Sequence, residues 1–290
     1  MGDGKLDDDA RIKLSIDDTE QARPFSYPSS LAFDHHRGLL FVVDPHFHRV
    51  QVLSCDDDGY SFVSKFGEKG RQPGQFVHPC GIAIDHDHDR ILIVDLNNSR
   101  VQSWSLSNQS FLSRTGDYGS RGLEFESPQG FAIDKHHHRI IIVDVFNNRL
   151  VFLSSIDLSF LFEIGGQENG HPGEFSSATS AVVDDDRHRI IVIDAFHNRL
   201  QVVSSIDGSF LFEFGSQGNQ PGQLHNPLGA CIANQGRVIV ADSNNYRLQA
   251  FTHDGHHISS FGCGREKPLA VAFDEHRGLI AFSTANRVHV

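Results

Sequence analysis

The sequence predicts an all-β fold, a six-bladed β-propeller of four-stranded antiparallel blades. One segment recurs along the chain: IIVDVFNNRL at 141–150 returns as IVIDAFHNRL at 191–200. The arginines that close successive copies are 51, 49, 50, 48 and 40 residues apart. No window has a sustained helical period, and each period holds short Val, Ile and Phe runs bounded by Gly, Asn, Asp and Pro. A repeat of this length that covers the whole chain indicates a propeller with six blades.

Each period contains four predicted strands. The first, such as GIAID at 81–85, uses Gly and Ala beside Ile, which suits a strand crowded near a central axis. The second is apolar at consecutive positions, so we expect both of its faces to be buried. The third starts at the recurring arginine, and the fourth reads SFLFEIG or SFLFEFG. One sheet alone cannot bury two apolar faces, whereas sheets stacked around an axis can.

The whole chain, 1–290, is then a single propeller domain. The predicted blade limits are approximately 25–64, 76–113, 125–163, 175–213, 225–261 and 268–290. Only VHV follows Arg287, so the sixth blade lacks an outermost strand. We assign that strand to RIKLSI at 11–16, which would close the ring.

An aspartate stands five residues before an arginine in each of the first five copies. The pairs are Asp44/Arg49, Asp95/Arg100, Asp144/Arg149, Asp194/Arg199 and Asp242/Arg247; the sixth copy keeps Arg287 and has Ser283 for the acid. The aspartate can accept N–H bonds from the residues that follow it, and the arginine fork can bind carboxylates or carbonyls. These residues are therefore interpreted as structural turn residues.

Residues 66–104, FGEKGRQPGQFVHPCGIAIDHDHDRILIVDLNNSRVQSW, resemble the NHL repeat. The pattern returns at 115–153, 164–203 and 214–251, with Asn234 replacing the usual aspartate in the fifth copy. The resemblance implies a propeller of the kind found in tripartite-motif (TRIM-NHL) proteins, where such domains present partners to ubiquitin-ligase modules. The sequence has no RING-like Cys/His spacing, so a ligase would act in trans.

The composition disfavours several functional classes. The formal net charge is −12, a poor match for nucleic-acid phosphates or anionic membranes. No apolar stretch approaches the roughly 20 residues that span a bilayer, and the N-terminus has no signal-peptide pattern. We expect a monomeric propeller in the cytoplasm or nucleus.

The histidines raise the question of a metal site. Many of the 19 lie in turns between first and second strands, such as DHDHDR at 85–90 and DKHHHR at 134–139. We expect no metal and no cofactor, because these turns should ring one rim at wide separation. An amidating lyase with an NHL-like propeller uses channel histidines on zinc, but the corresponding positions here hold none. Those positions include Ser29, Cys80, Gln129, Thr179, Leu228 and Leu269.

The favoured function is a non-catalytic platform that binds a protein on the face of the lead-in loops and Asp-to-Arg turns. Aromatic side chains with little charge are typical of a protein interface; the competing interpretation is that these rings cover the blade joints. The predicted partner-binding residues are Phe47, Phe146, Phe196, Tyr246, His197, Lys69 and Arg71. The alternatives are an RNA-binding propeller, which the net charge disfavours, and a propeller hydrolase or lyase.

Overall fold

Six four-stranded antiparallel sheets form the fold, in a computed structural model that describes residues 15–16, 25–56, 59–166 and 171–290. The predicted fold class is confirmed: the described residues form an all-β, six-bladed propeller without α-helix. Blades 1 to 5 run outward in chain order from their innermost strand, whereas the outermost strand of blade 6 comes from the start of the chain. The innermost strands of neighbouring blades contact one another around the axis.

Blades 1 to 3 contain β2 to β15. Blade 1 comprises β2 Ser30–Asp34, β3 Leu39–Asp44, β4 Arg49–Asp56 and β5 Gly59–Phe66. Blade 2 comprises β6 Pro79–Asp85, β7 Arg90–Asp95, β8 Arg100–Ser105 and β9 Phe111–Thr115. A short parallel pair, β10 Asp117–Tyr118 and β11 Glu124–Phe125, leads into the next blade. Blade 3 comprises β12 Pro128–Asp134, β13 Arg139–Asp144, β14 Arg149–Ser154 and β15 Phe160–Gly165.

Blades 4 to 6 follow the same plan. Blade 4 comprises β16 Ala178–Asp184, β17 Arg189–Asp194, β18 Arg199–Ser204 and β19 Phe210–Phe214. Blade 5 comprises β20 Pro227–Ala233, β21 Arg237–Asp242, β22 Arg247–Phe251 and β23 His257–Gly262. Blade 6 comprises β24 Val271–Asp274, β25 Leu279–Ser283, β26 Val288–His289 and β1 Ser15–Ile16. Short 3-10 turns lie at Pro45–Phe47, His86–His88, Leu96–Asn98, Asp185–Arg187, Asn234–Gly236 and Ser243–Asn245.

The sixth blade is completed by the chain segment farthest from it in sequence. Ser15 pairs with His289 and Ile16 with Val288, both antiparallel. The remainder of the predicted closing strand, 11–14, lies outside the described residues. The innermost strands of blades 6 and 1 also contact each other.

The apolar second strands form the core. In β7 and β13 every residue is buried, as expected for a strand covered on both faces. The described residues form six hydrophobic clusters, and each cluster joins two adjacent blades. The joint between blades 3 and 4, for example, packs Ile141 and Phe152 against Ile190 and Val192. Because each blade buries one face against each neighbour, no blade could form this core alone.

The inner strands approach so closely that some positions admit only glycine. A Cβ atom at Gly130 would lie 2.7 Å from Val143 Cγ2, in its own blade, and 2.8 Å from Ser180 Cα, in the next. Real Cβ atoms do not approach other atoms so closely, so the small first strand follows from crowding at the axis.

The antiparallel order places the connections on two faces. The turn face carries the Asp-to-Arg turns and the lead-in loops, which are 67–78, 116–127, 166 with 171–177, and 215–226 for blades 2 to 5. The histidine face carries the turns between first and second strands and between third and fourth strands. Among the described residues no helix is long and apolar enough to cross a membrane.

Candidate functional site

A buried aspartate anchors each of the five Asp-to-Arg turns of the turn face. In blade 3 the Glu126 N–H donates to Asp144 Oδ1 over 2.7 Å. Arg149 Nε donates to Oδ2 over 2.9 Å, and the Asn147 amide donates to the same oxygen over 2.8 Å. The prediction that the aspartate accepts backbone N–H bonds from the following residues was wrong. Its backbone donor lies 18 residues earlier, in the lead-in loop, so the carboxylate ties loop and turn together.

The same arrangement recurs in the other blades. The lead-in donors to Oδ1 of Asp44, Asp95, Asp194 and Asp242 are the N–H groups of Ser26, Val77, Ser176 and His225. The arginines then reach back to the loop: Arg100 donates to the carbonyls of Arg71 and Gln75 over 2.9 and 2.8 Å. In blade 6, Ser283 replaces the acid, and its hydroxyl accepts the Ala270 N–H instead.

Burial has an electrostatic cost at these carboxylates. Desolvation raises the pKa of Asp144, while Asn147, the Glu126 N–H and Arg149 act against the rise. Burial likewise raises the pKa of Asp44, opposed by the Ser26 N–H and by Arg49. The hydrogen bonds therefore offset the desolvation cost, so that the buried carboxylate can hold the loop and the turn together. The Asp and Arg pairs therefore stabilise the loops and turns of the turn face.

Two aromatic side chains project from the anchored turns. Phe146 and Phe196 occupy the second position after the aspartate in blades 3 and 4, and they are 63% and 70% exposed. The Phe196 ring meets only the neighbouring His197 ring, edge to face, and Phe146 has no ring or cation partner among the described residues. These two rings are on the surface and do not seal a blade joint.

The other two predicted rings are partly covered. Both Phe47 and Tyr246 are 39% exposed. The Arg49 guanidinium lies 4.8 Å from the Phe47 ring centre, and Lys267 Nζ lies 5.6 Å from that of Tyr246. Tyr246 does not stand at the position of Phe146 and Phe196 in its turn, because it occupies the left-handed position four residues after Asp242, at φ 56°.

The polar residues predicted for partner binding divide into two kinds. Lys69 and Arg71 are exposed in the lead-in loop of blade 2. His197 instead bonds the turn aspartate, with its Nδ1 3.0 Å from Asp194 Oδ2. It occupies the place of Asn147 in blade 3 and acts as part of the anchor.

Sequence reasoning missed two exposed tyrosines on this face. Tyr118 is 70% exposed beside the lead-in of blade 3, where its hydroxyl donates to Glu126 over 3.2 Å. Tyr27 is half exposed in the lead-in of blade 1 and lies against the His46 ring. The signal was available, since the repeat assigns both residues to lead-in loops.

A channel of about 740 Å³ enters the ring, lined by Ser29, Cys80, Gln129, Thr179 and other inner-strand residues. Burial raises the pKa of the Cys80 thiol well above its usual range, so this sulfur is not an activated nucleophile.

The inner-strand positions named above hold no histidine, as stated, but two histidines from the turn face also line the channel. His46 and His78 approach from the turn and loop of adjacent blades, with ring centres 5.3 Å apart. A catalytic zinc needs three protein ligands, and no third His, Cys, Asp or Glu converges with these two in the described part of the chain.

On the histidine face, the expectation that the turns lie far apart was wrong. Turns of adjacent blades meet at the joints: His36 and His86 have ring centres 4.4 Å apart, and those of His136 and His188 are 4.5 Å apart. This contact could not be predicted from the sequence, because its residues lie about one repeat apart and meet only when adjacent blades pack together.

Comparison with known proteins agrees with this architecture. Residues 224–251 match the NHL repeat, and residues 16–117 match a 6-bladed beta-propeller family. The chain is a six-bladed propeller that contains a segment matching the NHL repeat. A 42-residue segment is 50% identical to Protein lin-41 of Caenorhabditis elegans; it covers 14% of this chain and only 4% of that protein.

Two solved structures share the propeller fold. One is a protein of unknown function from Bacteroides thetaiotaomicron, with a TM-score of 0.62 and 15% identity, covering 93% of this chain and 70% of that one. The other is a catalytically inactive virginiamycin B lyase from Staphylococcus aureus with quinupristin, with a TM-score of 0.63 and 11% identity, covering 89% and 78%. At these identities the similarity is one of fold.

Proposed function

We propose that this NHL propeller is a non-catalytic platform that binds a protein partner on its turn face. The main observation in support is the exposure of Phe146 and Phe196. Large aromatic side chains dominate the energy of protein interfaces, and two of them occupy equivalent positions in adjacent blades. The anchored turns beneath them reduce the conformational entropy that binding must remove.

The charge of the face supports a protein partner over RNA. The exposed cations Lys69 and Arg71 lie near Glu68 and Asp117, which are also exposed. Single-stranded RNA binding combines stacking with a basic groove, and the whole chain has a net charge of −12. RNA binding is therefore the less favoured alternative, although exposed rings could stack on bases.

The channel supports the non-catalytic part of the proposal. Its thiol has a raised pKa and its two histidines lack a third ligand among the described residues. The similarity to a lyase fold is no evidence for lyase activity here, because proteins that share a fold often differ in their chemistry.

The resemblance to tripartite-motif proteins suggests a use for such a platform. The propeller would deliver its bound protein to a ubiquitin ligase supplied by another chain, in the cytoplasm or nucleus. Reconstitution with the captured partner and candidate ligases tests this: we expect partner ubiquitination to require the propeller and to fall when the turn face is altered.

Affinity purification from a lysate of the source cells tests the proposed face. Phe146→Ala with Phe196→Ala should deplete the partner, while Ile156→Ala with Ile206→Ala should retain it. The isoleucine pair is a matched control, because both residues are exposed at equivalent positions of blades 3 and 4 on the histidine face. Nuclease treatment should change nothing. Equal recovery by both variants, or loss of the partner after nuclease, would contradict the proposal.

A further inference from the structure

The joint between blades 3 and 4 brings three histidines together on the histidine face. His136 and His137 belong to the turn between β12 and β13, and His188 belongs to the corresponding turn of blade 4. Their ring centres are 4.5, 4.9 and 5.7 Å apart, all edge to face. Each ring offers one nitrogen, and the three nitrogens lie within 4.8 Å of one another.

A carboxylate already orients one of these rings. His137 Nδ1 lies 3.0 Å from both oxygens of the buried Asp134. Since an ionised carboxylate only accepts, Nδ1 carries the hydrogen and Nε2 keeps its lone pair. This carboxylate–histidine arrangement is the one that fixes the tautomer of metal-binding histidines.

The third ring has an unused nitrogen. His188 Nδ1 is buried and has no hydrogen-bond partner among the described residues. Buried polar nitrogens are usually paired, and leaving one unpaired costs free energy. A metal ion that accepts the lone pair of this nitrogen would remove that cost.

The distances suit a transition metal after a small movement. Zinc–imidazole bonds of about 2.0–2.1 Å place tetrahedral ligand nitrogens about 3.3 Å apart. From at most 4.8 Å, the nitrogens would need to close by no more than about 1.5 Å to reach this spacing. Imidazole donors suit zinc, copper and nickel and are poor ligands for magnesium or calcium.

We propose that His136, His137 and His188 bind one divalent transition-metal ion of the zinc class. The ion would link the turns of blades 3 and 4 and keep a fourth coordination position for water or an outside ligand. This site lies on the opposite face from the proposed protein interface and does not depend on it.

The second histidine cluster is a weaker candidate. It combines Asp34, His36 and His86 at the joint of blades 1 and 2. Asp34 Oδ1 already accepts the N–H groups of His36 and Arg37, and its Oδ2 accepts from the Arg37 guanidinium. Both oxygens of this carboxylate are therefore already hydrogen-bonded, which makes it a poor metal ligand.

Calorimetry with Zn²⁺ on the metal-stripped full chain tests the proposal. We expect one zinc per chain at the tightest site, and at least a tenfold loss of affinity in His136→Ala and in His188→Ala. His88→Ala is the control, because His88 bonds its own turn aspartate, Asp85, as His137 bonds Asp134, but His88 belongs to neither histidine cluster. Its zinc affinity should stay within twofold of the wild type.

A spectroscopic readout separates the site from loose surface binding. Co²⁺ in place of zinc should give the strong visible bands of a four-coordinate ion, and these should vanish when all three histidines are alanine. His36→Ala with His86→Ala should keep both the bands and the tight zinc. Loss of the site in that variant, an unchanged isotherm in the triple variant, or binding at many weak sites only would each overturn the proposal.

Discussion

Single residues on the turn face have two separate tasks. The buried aspartates hold the lead-in loop to the turn, as Asp144 does with Glu126 and Arg149. Phe146 projects beside them, and its side chain takes no part in this network. The Asp-to-Arg spacing could be found in the sequence because both residues belong to one hairpin. The backbone donor could not, since it depends on the path of a loop that begins in the preceding blade.

His48 provides a pH-dependent version of a bond that other blades make with asparagine. The His78 N–H donates to His48 Nδ1 over 3.1 Å, whereas Asn148 and Asn198 accept the equivalent N–H through their amide oxygens. Burial lowers the pKa of His48, helped by His78, Lys69 and His46 and opposed by Asp95. Protonation of Nδ1 would break the bond.

The first prediction concerns His48→Asn. Because the folded pKa lies below the unfolded value of about 6.5, the unfolded state binds the proton first. The stabilising effect of neutral His48 is present above about pH 6.5 and declines as the pH falls toward the folded pKa. We expect the melting temperature of His48→Asn to fall less than that of the wild type between about pH 7 and 5.5.

His138→Asn is the matched control for this experiment. His138 also has left-handed backbone, at φ 52°, but it is exposed. Its replacement should leave the acid-side fall in melting temperature as it is in the wild type. If both variants follow the wild type, the His48 bond has no part in the pH dependence.

At the level of strands and turns, the sequence patterns predicted the structure correctly where they reflect local burial. Runs such as ILIV predict a strand buried on both faces, and β7 is buried throughout. The short parallel pair of β10 and β11 was not predicted, because it involves only two residues on each side. The meeting of His136 with His188 was missed for another reason: it depends on the packing of adjacent blades.

The crowding of inner strands gives a second prediction. Gly130→Ala places a methyl group against Val143 and the Ser180 backbone, so we expect the free energy of unfolding to fall by about 1–3 kcal/mol. Gly262→Ala is the control, because its Cβ would meet nothing within 4 Å. Denaturant melts of both variants check this; an equal stability for Gly130→Ala would mean that the inner strands are not close-packed there.

Segments near the two ends of the chain pair in blade 6. Six blades follow from the sequence period, and the contact between β1 and β26 brings Ser15–Ile16 to the last blade. The acidic composition does not identify the partner, because partner choice depends on the shape and chemistry of one face.

A third prediction tests the ring closure. Deleting residues 1–18 leaves β26 as an unpaired edge, so we expect a lower melting temperature and aggregation. A synthetic peptide of residues 9–20 should partly restore the melting temperature by adding the strand in trans, and a scrambled peptide should not. An unchanged melt after the deletion would show that β1 contributes nothing to stability.

Phe146 and Phe196 are proposed to form the energetic centre of a protein-binding face, and the affinity for the purified partner tests this role most directly. Truncation of both rings should cost about 2 kcal/mol or more, an increase in Kd of about thirtyfold, with unfolding free energy unchanged within about 0.5 kcal/mol. Ile156→Ala with Ile206→Ala should leave Kd within twofold. An unchanged Kd for the phenylalanine variant, or an equal loss in the isoleucine variant, would contradict the account.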